Sequence, residues 1–125
     1  AFSIQNLLET KPKPVCVQQD SSAIEALSIM VDKDYSQLPV IGRDNKPVGI
    51  ITYESILKAI RTFKASLEDL STKRVMIRPV TSTPEEDLFD IFEKMKKLNA
   101  ILVTTDKGSL TGILTSFDFT EYFRE

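Results

Sequence analysis

Two short stretches of the chain pair a threonine with a second polar side chain three residues on. Thr115-Ser116-Phe117-Asp118 ends on a carboxylate, and Thr52-Tyr53-Glu54-Ser55 ends on a hydroxyl. At a helix start, either pair can close a capping box, each side chain satisfying the other residue's backbone N–H. Asp118 adds a charged double acceptor that Ser55 lacks. Little else in the chain could do chemistry. There is no histidine, so there is neither a histidine general base nor a histidine metal site. The single cysteine, Cys16, offers no metal pair, and only four glycines are present, without a phosphate-cradling loop signature. Cys16 lies between two valines and reads as a buried, inert thiol. No catalytic residue, metal ligand or cofactor is assigned, and an enzyme is not expected.

Both polar pairs follow the same apolar strand, Gly49-Ile50-Ile51 in one case and Gly112-Ile113-Leu114 in the other. The glycines are 63 residues apart, and so are the threonines. Further upstream, Val15 and Val80 are 65 apart, as are Met30 and Met95. A strand-turn-helix unit repeated at fixed spacing predicts two copies of one small fold, the second two residues shorter between Met30 and Pro39. Each copy reads strand–helix–strand–strand–helix, an α/β pattern, with the first copy over 1–66 and the second over 67–125. A unit of roughly 60 residues buries too little surface to stand comfortably alone, so the two are expected to form one compact module.

Taken in order, Ser3 caps a short helix through Glu9, which Lys11-Pro12-Lys13-Pro14 cannot continue. Val15 to Val17 reads as a strand. Ser21 or Ser22 caps the next helix, whose apolar stripe is Ile24, Leu27 and Val31 with Ala23 and Met30 beside it. Tyr35 to Ile41 and Val48 to Ile51 are strands around a turn-rich loop. A helix from Glu54 to about Lys64 presents Ile56, Leu57, Ile60 and Phe63. Leu67 to Arg74 reads as an irregular connection. Thr83-Pro84-Glu85-Glu86 reads as a helix start, with a threonine cap and proline at the first position. Leu88, Phe89, Ile91, Phe92 and Met95 form its apolar face, with Phe89 and Phe92 assigned to core or a dimer surface. Asn99 to Val103 and Leu110 to Leu114 are strands, and Asp118 to Phe123 a last helix.

The composition narrows the function classes. The chain has 125 residues, 42% of them hydrophobic, enough for a core. With 16 basic and 18 acidic residues, the charge balance argues against a nucleic-acid surface. No apolar run approaches the roughly 20 residues of a membrane span. No signal-peptide pattern is present, and one cysteine suits a reducing cytoplasm. The chain lacks an initiating Met and stops at Tyr122-Phe123-Arg124-Glu125, inside an expected helix; it reads as a fragment of a longer protein.

The two copies resemble a tandem pair of CBS domains (cystathionine-β-synthase domains, together a Bateman module). The residues that carry the resemblance are Ser36-Gln37-Leu38-Pro39-Val40-Ile41 with Val48-Gly49-Ile50-Ile51-Thr52, and Asn99-Ala100-Ile101-Leu102-Val103 with Gly112-Ile113-Leu114-Thr115-Ser116-Phe117-Asp118. It covers essentially the whole chain. The resemblance implies two β-α-β-β-α repeats packed through their sheets about a pseudo-two-fold axis. It further implies a regulatory module that binds an adenosyl ligand (AMP, ADP, ATP or S-adenosylmethionine) in a cleft between the repeats and controls an attached or associated protein. Such pairs commonly form homodimers. A ligand-free pair that serves only dimerisation or interaction is the alternative reading.

In that family, the acid of the Thr/Ser-x-x-Asp turn takes the ribose hydroxyls, and the Thr/Ser helps hold the phosphate end. Here Thr115, Ser116 and Asp118 match. The resemblance completes this cleft with Ile113 and, from the first copy, Thr10, Pro14, Val15, Tyr35 and Ser36. Adenine is expected against Val15, Tyr35 and Ile113, although core packing is an equal role for Tyr35. Lys11 and Lys13 are close enough in sequence to meet phosphates. The second cleft would pair Thr52 and Ser55 with Val75, Met76, Arg78, Asn99 and Ala100. Ser55 deprives it of the acid, so one competent cleft per chain is expected. Restoring the acid by Ser55→Asp is expected to leave the fold intact.

Overall fold

A computed structural model describes residues 3–122. The chain divides into two compact units, one of Val15–Pro79, the other of the segment up to Pro14 together with Val80 onward. This division differs from that of the sequence copies, because the segment before each copy's first strand packs into the other copy's unit. The expected end of the last helix at Phe123 lies outside the described residues.

In the Val15–Pro79 unit, β1 (Val17–Gln18) runs parallel to β2 (Gln37–Ile41), and β2 pairs antiparallel with β3 (Pro47–Thr52). Two eleven-residue helices, α2 (Ala23–Lys33) and α3 (Tyr53–Phe63), follow β1 and β3. Residues 67–74, expected to be irregular, hold a 3-10 turn at Leu67–Asp69 and the start of a short helix, α4 (Thr72–Val75). Backbone bonds tie this segment down: Ala23 N–H donates to the Leu70 carbonyl at 2.9 Å, and Thr72 N–H to the Ser21 carbonyl at 2.7 Å. The core gathers Met30, Leu38, Val40, Ile51 and Ile56.

The other unit has the same plan. Strand β4 (Thr81–Ser82) is parallel to β5 (Ala100–Thr104), which is antiparallel to β6 (Leu110–Thr115). Helix α5 (Leu88–Met95) follows β4, and α6 (Ser116–Tyr122) follows β6. The N-terminal α1 (Ile4–Glu9) joins this sheet, placing Ile4 and Leu7 in a core with Ile91, Ile101, Val103 and Leu114. Registers coincide at the 63-residue spacing: Leu38 faces Ile51 as Ile101 faces Leu114, and Val40 faces Gly49 as Val103 faces Gly112. Both ladders slip at the same place, after Val40 and after Val103.

Several sequence expectations are corrected. The buried stripe of α2 is Ala23, Ala26 and Met30, while Val31 is 62% exposed. Small side chains on that stripe let the helix lie close to its sheet, and Ile24 and Val31 turn outward. In α3 the buried face is Ser55, Ile56 and Ala59, and Leu57 is exposed. The helix expected from Thr83 begins at Leu88, capped by Asp87, whose carboxylate accepts from Phe89 N–H. Glu86 does not enter a first turn. Its Oε1 accepts from the Ser82 hydroxyl at 2.6 Å and from Lys94 Nζ at 2.7 Å, which holds the residue against β4. Burial works to raise the Glu86 carboxyl, but the bonds from Lys94 and Ser82 outweigh it and hold the carboxyl below its ordinary range. Phe89 is exposed rather than core, whereas Phe92 meets Phe119 edge to face at 5.2 Å.

Candidate functional site

Each unit ends its sheet in the same way, with a strand that passes through threonine into a helix. At the end of β3 the turn is closed on itself. Ser55 N–H donates to Thr52 Oγ1, Thr52 N–H donates to Ser55 Oγ, both at 3.0 Å, and the Ser55 hydroxyl donates onward to the Thr52 carbonyl at 2.9 Å. This is a complete capping box, and Ser55 is buried. Its polar atoms are spent on the helix start.

At the end of β6 the arrangement changes. Asp118 Oδ2 accepts from Thr115 N–H at 2.8 Å and from the Thr115 hydroxyl at 3.3 Å. The same oxygen accepts from Lys11 Nζ at 2.7 Å, an ion pair between side chains 24% and 14% exposed. The Lys11 ammonium also donates to the Ile113 carbonyl at 2.5 Å. Two residues that the family resemblance assigns to the ligand, Ile113 and Asp118, are therefore bridged by one lysine.

The repeat explains why a lysine comes here. The spacing that sets Val15 against Val80 sets Pro12 against Ile77 and Lys11 against Met76. In the Val15–Pro79 unit, Ile77 and Ile50 exchange two backbone bonds, at 2.9 and 3.0 Å. Pro12 has no N–H, so the equivalent bond to the Ile113 carbonyl is unavailable, and the Lys11 ammonium supplies it instead. Met76, the counterpart of Lys11, packs over Gly49 so closely that a Cβ there would collide with its side chain. Over Gly112 the corresponding cover is Leu8. Ile50 is fully buried, whereas Ile113 is half-buried.

A cavity of about 170 Å³ opens beside Ile113, lined by Leu8, Lys11, Lys13 and Gly112 among others. A larger depression, about 640 Å³, shares Leu8, Glu9 and Thr111 with it and extends to Glu85, Thr104 and Asp106. None of the expected ligand residues borders that depression, whereas Ile113 borders the smaller cavity.

The other expected residues fall as follows. Thr10 caps α1, its hydroxyl donating to the Leu7 carbonyl at 2.8 Å. Pro14 is half-buried, and Ser116 is the first residue of α6. Val15 and Tyr35 pack against the core of the Val15–Pro79 unit, and Ser36 is exposed there. Of the second set, Thr52 and Ser55 share the capping box, Val75 is buried, Met76 covers Gly49, and Arg78 is exposed. Asn99 is exposed and Ala100 buried in the other unit. Cys16 is half-buried, and burial raises its thiol above the ordinary value, which favours the protonated form. Among the described residues no cluster of His, Cys, Asp or Glu is suited to a metal ion. Nor is any helix among them long and apolar enough to cross a membrane.

The chain matches the CBS domain family twice, over residues 6–62 and 68–125. It belongs to the CBS domain family. As a CBS pair it is similar to solved structures along nearly its whole length. A CBS domain protein from Pyrobaculum aerophilum, complexed with AMP, superposes with a TM-score of 0.81 at 21% identity, covering 94% of this chain and 89% of that one. The CBS domain pair of protein MJ0100, in complex with 5′-methylthioadenosine and S-adenosyl-L-methionine, gives 0.78 at 27% identity, covering 98% and 95%. Among curated relatives, a homoserine O-acetyltransferase from Methanohalobium evestigatum is 32% identical over 111 residues, 87% of this chain but 22% of that protein. The CBS pair thus spans about a fifth of the length of the curated relatives it matches. The lysine on Asp118 is the feature that sequence reasoning missed. Pro12 standing against Ile77 is the signal that could have found it.

Proposed function

We propose that this CBS pair is a regulatory module that binds an adenosyl ligand through Asp118 and controls a protein attached to it or associated with it. The observation that carries the reading is the Asp118 carboxylate itself. It is 14% exposed and fixed by two donors from Thr115, and its partner Lys11 lines a cavity together with the half-buried Ile113. A carboxylate so placed can accept hydrogen bonds from both hydroxyls of a ribose, and charge-assisted bonds are the stronger kind. The ligands of MJ0100, both of which carry that ribose, support the reading by similarity. Curated relatives several times longer than this chain, named as enzymes, favour a module that serves a separate catalytic part, with no catalysis of its own. A lone, half-buried Cys16 suits work in a reducing cytoplasm.

A thermal-shift screen with AMP, ADP, ATP and S-adenosylmethionine tests the reading. A ligand at a hundred times its dissociation constant adds about 2.7 kcal/mol to the folded state, a rise of several degrees. A melting temperature unmoved by every adenosyl compound would contradict it. The second reading, a ligand-free dimerisation module, is favoured by Leu57 and Phe89, both 67% exposed on helices. A flat screen together with dimeric sedimentation would select that reading, and a strict monomer would remove it.

A further inference from the structure

We propose that Lys11 is a charge-exchange residue that makes the Asp118 site select adenosyl ligands with a 5′-phosphate over those without one. The inference rests on the ligand reading given above and names the class of ligand. Without ligand, the Lys11 ammonium lies on Asp118 Oδ2 at 2.7 Å and on the Ile113 carbonyl. It therefore occupies one of the two carboxylate oxygens that a pair of ribose hydroxyls would use. Oδ2 already accepts from Thr115 N–H, the Thr115 hydroxyl and Lys11, so a ribose that engages both carboxylate oxygens, rather than Oδ1 alone, needs one of these donors to depart. The two Thr115 donors are built into the turn. Lys11 sits on a flexible stem, between an ended helix and a proline, and it is the donor that can leave.

Leaving costs an ion pair that is largely shielded from water, and only a ligand that offers another anion returns it. The geometry supplies a place for that anion. Lys11 Nζ and Thr115 Oγ1 lie 2.7 and 3.3 Å from the same oxygen, and so no more than 6.0 Å apart. A phosphate that approaches Thr115, the residue to which that end of the ligand is assigned, is within reach of the ammonium after a rotation of its stem. Lys13 lines the same small cavity and adds positive charge. A ligand without a phosphate breaks the pair and leaves the ammonium without a new anion. In the other unit, Met76 stands where Lys11 stands here, and no such exchange can be built.

The test measures dissociation constants for AMP and 5′-methylthioadenosine by calorimetry on the whole chain, for the parent, Lys11→Met and Lys11→Arg. The parent is expected to bind AMP more tightly. In Lys11→Met the AMP preference falls about tenfold, the scale of one bond to a charged group. AMP weakens, and methylthioadenosine holds or tightens. Lys11→Arg keeps the preference. Rising salt in the parent erodes the preference as well, a readout that needs no variant to fold. A preference unchanged in Lys11→Met, or equal losses for both ligands, overturns the exchange and leaves the ligand reading standing. A parent that binds neither compound overturns both.

Discussion

Three of the aligned positions at which the two strand-to-helix turns differ set their chemistry apart. Where one turn has Ser55, Met76 and Ile77, the other has Asp118, Lys11 and Pro12. The first set closes: hydroxyl and threonine satisfy each other, a backbone bridge covers Ile50, and a thioether packs on Gly49. The second set stays chemically open. A carboxylate exceeds what a helix cap requires, a proline has no N–H to offer the strand, and a lysine separated from Asp118 by 107 positions bonds both that carboxylate and the Ile113 carbonyl. A duplicated fold has kept its skeleton in both copies and its charge in one. The lesson is that the two turns are told apart by the charge that one of them carries and the other lacks.

The largest effect is expected from making the closed turn imitate the open one. Ser55→Asp puts a carboxylate at a buried position, where the native hydroxyl donates to the Thr52 carbonyl at 2.9 Å. A carboxylate cannot donate there, and Met76 offers no cation. Denaturant unfolding is expected to show a loss of about 1–3 kcal/mol, the cost of an uncompensated buried polar group. This revises the sequence-based expectation that the fold would not notice. Adding Met76→Lys should recover part of the loss by recreating the Lys11–Asp118 pair. Full stability of Ser55→Asp alone would break the comparison, because neutralisation would then not be what separates the turns.

The smallest effect concerns where the copies begin their first long helix. Glu86 is held against Ser82 and Lys94, with its carboxyl below the ordinary range of about 4.5. Its folded-state value is thus lower than its unfolded one. The stabilisation is complete above that ordinary range and disappears as pH falls through the folded-state value. Glu86→Gln is expected to cost less than about 1 kcal/mol near neutrality, as partly exposed ion pairs do. The difference from the parent should shrink in acid. An offset that stays constant from neutral pH into acid would show that Glu86 acts through packing instead.

The duplication was legible because period and spacing are properties of the chain itself. The antiparallel strand pairings and both bulges keep the 63-residue offset, and the first strands keep the 65-residue one. The start of α5 was legible too, but through the repeat rather than through cap chemistry. Ser22 caps α2, and 65 residues on stands Asp87, the observed cap. Thr83-Pro84 has the better local signature, but Ser82, Lys94 and Glu86 form a tertiary bond set that overrides it. Helix faces were misread at Ile24, Val31 and Leu57, because large apolar side chains mark a stripe more loudly than the alanines that let a helix approach a sheet. The Lys11–Asp118 pair joins residues from opposite ends of the chain, and no local pattern announces such a contact. The proline that calls for it becomes visible only when the copies are laid side by side.

The central claim is tested most directly by titrating AMP into the parent and Asp118→Ala in a calorimeter. The parent is expected to bind at one site per chain, and the variant to bind about 1.5–3 kcal/mol more weakly, the scale of hydrogen bonds to a charged group. Indistinguishable isotherms from two folded proteins would contradict the assignment of Asp118 to the ribose.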